Sequence, residues 1–167
     1  RSDQSRVIVA SDRISKDMKD AVVAIEDKRF YQHNGVDLNG IARALFNRFA
    51  SGTNEGASTI TQQVAKNLIV GNDYSIARKV REAILAFRIE GALDKKQILE
   101  IYLNQIFLGR NAYGVQAASR AYFDKDVDEL TLPEAAYLAV LPKAPSNYDP
   151  QRATEKALAR RNYVLRE

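Results

Sequence analysis

SIARKVREAILAFRIEG, residues 75–91, is the stretch that decides the fold class of this chain. Its apolar residues recur every three or four positions, which is the spacing of one face of an α-helix: Ile76, Val80, Ile84 and Phe87. A serine precedes the first of them and a glycine follows the last, and these residue types commonly begin and end helices. We therefore predict a helix over this stretch.

The same spacing predicts helices over most of the remaining chain. They are expected around Met18–Ile25, Leu38–Phe49, Ile60–Ile69, Asp94–Gly109 and Val115–Tyr122, and from Thr131 and from Gln151 onward. Only Arg6–Ala10 has the pattern of a strand. Three of the four prolines fall within Leu141–Pro150, which is therefore predicted to be an extended loop. The sequence predicts a mainly helical chain without a domain linker.

Composition limits the possible classes of protein. The chain has 167 residues, 46% of them apolar and 28% charged, which is typical of a single globular domain. A net charge of +4 suits an anionic partner without choosing among phosphate, a membrane surface and nucleic acid. The absence of cysteine excludes disulfides and a cysteine nucleophile, and with one histidine the usual zinc sites are excluded too.

The segment EDKRFYQHNG, residues 26–35, holds the first candidate site residues. Glu26 follows Val22 by four positions, so its side chain flanks the apolar side of its predicted helix. A carboxylate beside apolar surface is poorly solvated, which makes it a better general base. On this segment alone, an ion pair at a helix end is the simpler interpretation of Glu26, and a helix-end hydrogen bond is that of His33.

The segment GASTITQQVAKN, residues 56–67, runs from a glycine into a helix predicted to begin after Ser58 and Thr59. Helix N-termini offer free backbone N–H groups and the positive end of the dipole, so this one is a candidate phosphate site. Gln63 and Lys66 are three positions apart and project from one face. An ordinary capped helix is the alternative.

The segment RKVRE, residues 78–82, places Arg78 and Lys79 within one helical turn of Glu82. Two cations around a carboxylate could bind a pyrophosphate and keep Glu82 ionised. Most patches of this kind are solvated helix faces that contribute little to stability. Both interpretations are open on this segment alone.

Taken in order, five motifs resemble those of the peptidoglycan glycosyltransferases, glycosyltransferase family 51. They are Glu-Asp-x-x-Phe-x-x-His-x-Gly (Glu26–Gly35), Gly-x-Ser-Thr-Ile-Thr-Gln-Gln (Gly56–Gln63), Arg-Lys-x-x-Glu (Arg78–Glu82), Lys-x-x-Ile-Leu-x-x-Tyr-Leu-Asn (Lys95 or Lys96 to Asn104) and Arg-Arg-x-x-Val-Leu (Arg160–Leu165). The resemblance extends from about Ile14 to the end of the chain. The stretches Ile106–Val115 and Leu141–Pro145 are more similar to bifunctional class A penicillin-binding proteins than to monofunctional relatives.

The resemblance implies a mainly α, lysozyme-like domain with two lobes, a larger head and a smaller membrane-facing jaw. It implies that lipid II is polymerised into glycan strands, with inversion at the donor anomeric carbon and release of undecaprenyl pyrophosphate. The implied partners are lipid II, the growing lipid-linked strand, the membrane surface and moenomycin-type inhibitors, with no nucleic acid. No cofactor is implied; a divalent cation could assist pyrophosphate departure, but no carboxylate cluster in the sequence specifies a metal site.

The resemblance also implies where the domain lies in the cell and how far it extends along the chain. The domain is expected on the outer (periplasmic or extracellular) face of the cell membrane, anchored by a segment outside this chain, and the transpeptidase motifs Ser-x-x-Lys and Lys-Thr-Gly are absent. The whole of residues 1–167 is expected to be one glycosyltransferase domain. The helix Leu38–Phe49 suits the membrane-facing jaw, with an ordinary buried helix as the alternative, and Gly52–Gly56 is expected to be a loop that closes over substrate.

Residue roles follow from the same resemblance. Glu26 is expected to be the catalytic base and Glu82 a catalytic-site organiser near the pyrophosphate. Substrate-binding roles are expected for Arg29, Phe30, Ser58, Gln63, Lys66, Asn67, Arg78 and Lys79. Structural roles within the motifs are expected for Asp27, His33, Gly56, Thr59, Asn104, Arg160 and Arg161.

Two alternatives remain at this point. A lysozyme-like glycan-cleaving enzyme needs an acid and a water, but it has no use for the cations Lys66, Arg78 and Lys79 around its site. A non-catalytic helical module could bind membrane or nucleic acid through its basic faces, and it would have no use for Glu26.

Overall fold

The computed structural model describes residues 7–51, 58–69 and 75–143. Within these ranges the chain forms seven α-helices and three short 3-10 helices. The α-helices are α1 (Lys16–Glu26), α2 (Leu38–Ser51), α3 (Ile60–Lys66), α4 (Ile76–Ala92), α5 (Lys95–Gln105), α6 (Val115–Phe123) and α7 (Leu132–Val140), and the 3-10 helices are Ser11–Arg13, Val127–Glu129 and Leu141–Lys143. The prediction of a mainly α fold is confirmed. No helix in the described ranges combines the length and apolarity that a membrane span requires.

The chain divides into two compact units, whose boundaries fall within α1 and α5. The central unit is Glu26–Leu99, and the terminal unit is Arg1–Ile25 with Glu100–Glu167. Every described residue of the first three motifs lies in the central unit.

Helix starts follow the side chains that the sequence offers. Ser75 accepts a hydrogen bond from the backbone of Arg78 at the start of α4, where the serine predicted a helix start. Thr131 and Glu134 form a reciprocal capping box at the start of α7, as their spacing predicted. The Lys125 side chain and the Thr131 backbone N–H both donate hydrogen bonds to the Glu134 carboxylate. These bonds lower the pKa of Glu134 below its usual range.

The prediction of a strand over Arg6–Ala10 is wrong for the described residues 7–10, which belong to no strand. The amide of Asn104, in the last turn of α5, takes the place of a neighbouring strand. Its Oδ1 accepts from the Val9 N–H at 2.8 Å, and its Nδ2 donates to the Val9 carbonyl at 2.9 Å. The extended backbone of Val9 is therefore satisfied by one side chain.

Two predicted helices end earlier than their apolar spacing indicated. α3 ends at Lys66 because the next backbone N–H groups bond three residues back, Leu68 to Ala65 and Ile69 to Lys66. α5 ends at Gln105, and the chain beyond it forms a turn in which Phe107 pairs with Tyr113. The prediction of an extended loop from Leu141 is also wrong for its first three residues, because Leu141–Lys143 is a 3-10 helix.

Several predictions lie outside the described residues. They are the loop Gly52–Gly56 with its motif residue Gly56, the remainder of Leu141–Pro150, the helix from Gln151, and the fifth-motif residues Arg160 and Arg161.

The apolar stripe that identifies α4 as a helix is exposed to solvent. Its four members are between 49% and 84% exposed: Ile76, Val80, Ile84 and Phe87. The buried face of α4 consists instead of Arg78, Glu82 and Ala86. Arg78 and Glu82 are therefore not part of a solvated helix face, whereas the Lys79 side chain beside them is exposed.

Candidate active site

Glu26 ends α1, and one of its two carboxylate oxygens has no hydrogen-bond partner among the described residues. This oxygen, Oε2, is buried. The other, Oε1, lies 3.4 Å from the side-chain nitrogen Nε2 of Gln63 on α3, which is long for a hydrogen bond. A buried carboxylate oxygen without a donor is free to accept a proton from a bound hydroxyl group.

The neighbouring carboxylate, Asp27, joins the first motif to the second. Its Oδ2 lies 2.7 Å from His33 Nε2 and accepts from the Ile60 backbone N–H at 2.9 Å. The other ring nitrogen of His33 accepts from the Gly35 N–H, so the proton of a neutral ring lies on Nε2 and points at Asp27. Both side chains are buried, which fixes the backbone beside Glu26 against the start of α3.

The N-terminus of α3 is closed by the protein's own groups. The Asp27 carboxylate accepts a hydrogen bond from the Ile60 N–H. The Thr59 hydroxyl accepts one from the Gln62 N–H in a capping box. Thr59 also donates to the Gly35 carbonyl at 2.6 Å. The N–H groups of Ile60 and Gln62 are therefore already engaged, one of them by a carboxylate, and the phosphate site at this helix start stays a prediction.

A cavity of about 470 Å³ opens beside α3 and α4. The residues that line it all carry polar or charged side chains: Ser58, Gln62, Gln63, Lys66, Ser75, Arg78, Lys79 and Glu82. Residues of the second and third motifs thus line one cavity, and Gln63 also lies beside Glu26.

Glu82 organises the charges of the cavity. It is 4% exposed, and its two oxygens lie 3.0 Å from Lys79 Nζ and 3.6 Å from Arg78 Nε. Lys79 Nζ also donates to Ser58 Oγ at 3.0 Å, although the Lys79 side chain remains 56% exposed. The single carboxylate therefore holds two cations at the cavity wall, and the second cation is accessible to an anionic ligand.

The remaining substrate-binding candidates differ in position. Lys66 is exposed and lines the cavity, whereas Asn67 is exposed at the end of α3 and does not line it. Arg29 Nε lies 3.3 Å from Asp37 Oδ1, and the Arg29 side chain is 40% exposed. Phe30 is fully buried, so the prediction that its ring lines a cleft is wrong.

Asn104 lies in the terminal unit, where it binds Val9 as described above. That unit also contains three carboxylates close enough to share an ion: Asp126, Asp128 and Glu129. Each is already paired, Asp126 with Gln116 and Arg120, Asp128 with Arg13, and Glu129 with the Asp126 backbone. The Gln116 hydrogen bond, with the charge of Arg120, lowers the pKa of Asp126.

Sequence reasoning missed several residues of the central unit. Asp37 pairs with Arg29 and accepts from the Gly40 N–H at the start of α2. Glu90 and Lys95 form an ion pair at 2.7 Å. The fourth motif left Lys95 and Lys96 as equal candidates, and only the network of contacts separates them. Nothing in the sequence marks Glu90, because its partners come from other segments.

Comparison with known proteins agrees with this geometry. The family model for transglycosylases matches residues 1–167. Penicillin-binding protein 1A of Neisseria flavescens is 53% identical over 164 residues, covering 98% of this chain and 21% of that protein. Penicillin-binding protein 1A of Aquifex aeolicus is 50% identical over 164 residues, covering 98% of this chain and 23% of that protein.

A solved structure is similar as well. The crystal structure of penicillin-binding protein 1A from Haemophilus influenzae matches with a TM-score of 0.55 at 28% identity, covering 99% of this chain and 15% of that one. The chain thus spans about a fifth of the length of the curated relatives above. It belongs to the transglycosylase family, as a peptidoglycan glycosyltransferase domain of the type carried by penicillin-binding protein 1A.

Proposed function

We propose that this domain polymerises lipid II, with Glu26 as the general base. In this reaction the 4-hydroxyl of the acceptor sugar attacks the anomeric carbon of the lipid-linked donor strand. Its proton passes to Glu26 Oε2, the anomeric carbon is inverted, and undecaprenyl pyrophosphate departs with the bonding electrons. The observation that carries the proposal is the buried, unpartnered Oε2, connected through Gln63 to a cavity lined by cations.

The cavity suits the leaving group. A pyrophosphate carries concentrated negative charge, and its departure is favoured by fixed positive groups that need no rearrangement. Lys79 and Lys66 are accessible at the wall, and Arg78, which also lines the cavity, is buried and pairs with Glu82. We assign Glu82 the role of organiser, because both of its oxygens are engaged by cations and neither is placed to take a proton.

Family membership also weighs against the two alternatives. A glycan hydrolase would not need a cationic cavity, and a simple binding module would not need a buried carboxylate without a partner. The proposal predicts that lipid II is polymerised and that finished peptidoglycan is not degraded. Release of muropeptides without polymer would contradict it.

The cavity assignment is tested with Lys79→Ala, using Arg81→Ala as the matched control. Arg81 is exposed on the same helix and does not line the cavity. Removal of one preorganised charge from the leaving group is expected to lower turnover by about 100-fold. The Arg81 variant should retain the wild-type rate, and a Lys79 variant that also retains it would remove the pyrophosphate assignment.

We further propose that α2 faces the lipid surface on the outer side of the cell membrane. Arg43 and Arg48 on this helix are exposed. Four of its apolar side chains are at least half exposed as well: Leu38, Leu45, Phe46 and Phe49. Apolar side chains flanked by arginines favour an anionic lipid interface. Paired replacement Phe46→Ser with Phe49→Ser should reduce binding to anionic vesicles, and unchanged binding would contradict this placement.

A further inference from the structure

We propose that Lys95 is a positioning residue for Glu26, an inference that rests on the proposed function above. Lys95 Nζ donates to the backbone carbonyl of His33 at 2.7 Å and to Glu90 Oε2 at 2.7 Å. It also lies 4.5 Å from the centre of the Phe30 ring. One ammonium group therefore binds the first motif at two points and the end of α4 at a third.

The environment of this ammonium group makes its contacts specific. The Lys95 side chain is 21% exposed and that of Glu90 is 8% exposed, so neither charge is fully solvated. Phe30 is fully buried beneath Nζ, and a ring face attracts a cation more strongly where water is scarce. An uncharged side chain at position 95 would remove one hydrogen-bond donor from the His33 carbonyl and the only lysine contact of the Glu90 carboxylate among the described residues.

Glu90 extends the connection to α3. The same oxygen that binds Lys95 accepts from Thr61 Oγ1 at 2.8 Å, and Thr61 is fully buried. Thr61 lies one residue after Ile60, whose N–H binds Asp27. The Glu90–Lys95 pair thus forms hydrogen bonds with both segments beside the base. One is the segment that begins with Glu26, and the other is the helix that carries Gln63.

These contacts determine where the Glu26 carboxylate lies. Lys95 holds the backbone of His33, His33 holds Asp27, and Asp27 is covalently next to Glu26. Loss of Lys95 would let the first motif shift against α3. A displacement of about 1 Å at a reacting group can lower the rate by about 100-fold even when binding is preserved.

Lys96 provides a matched control. It is adjacent in sequence, carries the same charge and is exposed, and it makes no hydrogen bond or ion pair with the described residues of the first motif. Neither lysine lines the cavity assigned to the pyrophosphate. A change confined to Lys95 therefore separates positioning of the base from general electrostatic attraction of the substrate.

The experiment compares Lys95→Met, Lys95→Arg and Lys96→Met with lipid II as substrate. Intact sites are counted by titration with a moenomycin-type phosphoglycolipid, and kcat is calculated per titrated site, so that unfolded protein is not counted as enzyme. For Lys95→Met we expect kcat per titrated site to fall about 100-fold, with KM and phosphoglycolipid affinity unchanged. Lys95→Arg should restore most of kcat because it keeps a charged donor, and Lys96→Met should behave as wild type.

A wild-type kcat for Lys95→Met, or a loss carried by KM instead of kcat, would overturn the positioning role. Should Lys95→Met yield no titratable sites, Glu90→Gln serves as the second variant. It keeps an acceptor for Thr61 but weakens the hold on Lys95, so kcat should fall about 10-fold, within the range of misplacement effects. A wild-type kcat for Glu90→Gln would equally overturn the role.

Including Glu26→Gln in the same series separates the two proposals. An inactive Glu26→Gln beside a fully active Lys95→Met would refute only the positioning role. A fully active Glu26→Gln would refute the proposed base, and the positioning role with it.

Discussion

Helices α4 and α7 begin alike and bury opposite kinds of surface. The side chains of Ser75 and Thr131 cap them, and each accepts a hydrogen bond from the backbone N–H three positions later. α7 then buries a wholly apolar set: Ala135, Ala136, Leu138, Ala139 and Val140. α4 buries Arg78, Glu82 and Ala86, and it exposes the four members of its apolar stripe.

The difference shows that helical spacing predicts a helix without predicting which face is buried. Burial of α7 is explained by transfer of apolar surface from water. Burial of the α4 face carries a desolvation cost that the mutual attraction of its charges must offset. A face of this kind is expected where a site needs preorganised charge, and α4 serves the cavity in this way.

The largest expected effect is that of Glu82→Gln, which tests the charged face. The change removes the carboxylate charge that lies against both Arg78, which is buried, and Lys79. Breaking a buried ion pair at one partner typically lowers the free energy of unfolding by about 3–5 kcal/mol. Urea denaturation measures the change. Wild-type stability would show that this face is not held together by Glu82.

The next prediction compares apolar side chains on the two helices. Leu138→Ala in α7 removes a side chain that is 1% exposed, and it should lower the free energy of unfolding by about 3 kcal/mol. Ile84→Ala in α4 removes one that is 49% exposed, and it should cost less than about 1 kcal/mol. Thermal and chemical denaturation of both variants check the contrast. Equal losses would mean that the α4 stripe is covered in the folded protein.

The smallest effect concerns Glu134 at the start of α7. Its pKa is lowered by hydrogen bonds from Lys125 and Thr131, so its ionised form contributes stability at pH values above its ordinary pKa of 4.5. That contribution is lost as the pH falls through the lowered folded-state pKa. Glu134→Gln should therefore cost about 1 kcal/mol at pH 7, as for a weakened helix cap. The gap to wild type should close in acid, and a gap independent of pH would contradict this origin.

The helices were predictable because their signals are local. Ser75 and Thr131 stand immediately before apolar residues at helical spacing, and Asp94 stands four positions before Ile98. Each of the three caps a helix in the structure. The strand at residues 7–10 was predicted wrongly because a short apolar segment cannot reveal the partner of its backbone. That partner is the side chain of Asn104, far away in the sequence.

The site was predictable where its residues belong to motifs, and not where they act through distant contacts. Gln63, Arg78, Lys79 and Glu82 were identified from their order, and the structure brings them to one cavity. The burial of Phe30 could not be predicted, since Lys95 covers its ring from another segment.

The most direct test of the account is the rate of lipid II polymerisation by Glu26→Gln, measured per site titrated with a moenomycin-type phosphoglycolipid. The substitution keeps the shape of the side chain and removes its ability to accept the proton. We predict a loss of about 1,000-fold or more in kcat, within the range attributed to general bases, with phosphoglycolipid affinity unchanged. A Glu26→Gln variant that polymerises lipid II at the wild-type rate would contradict the account.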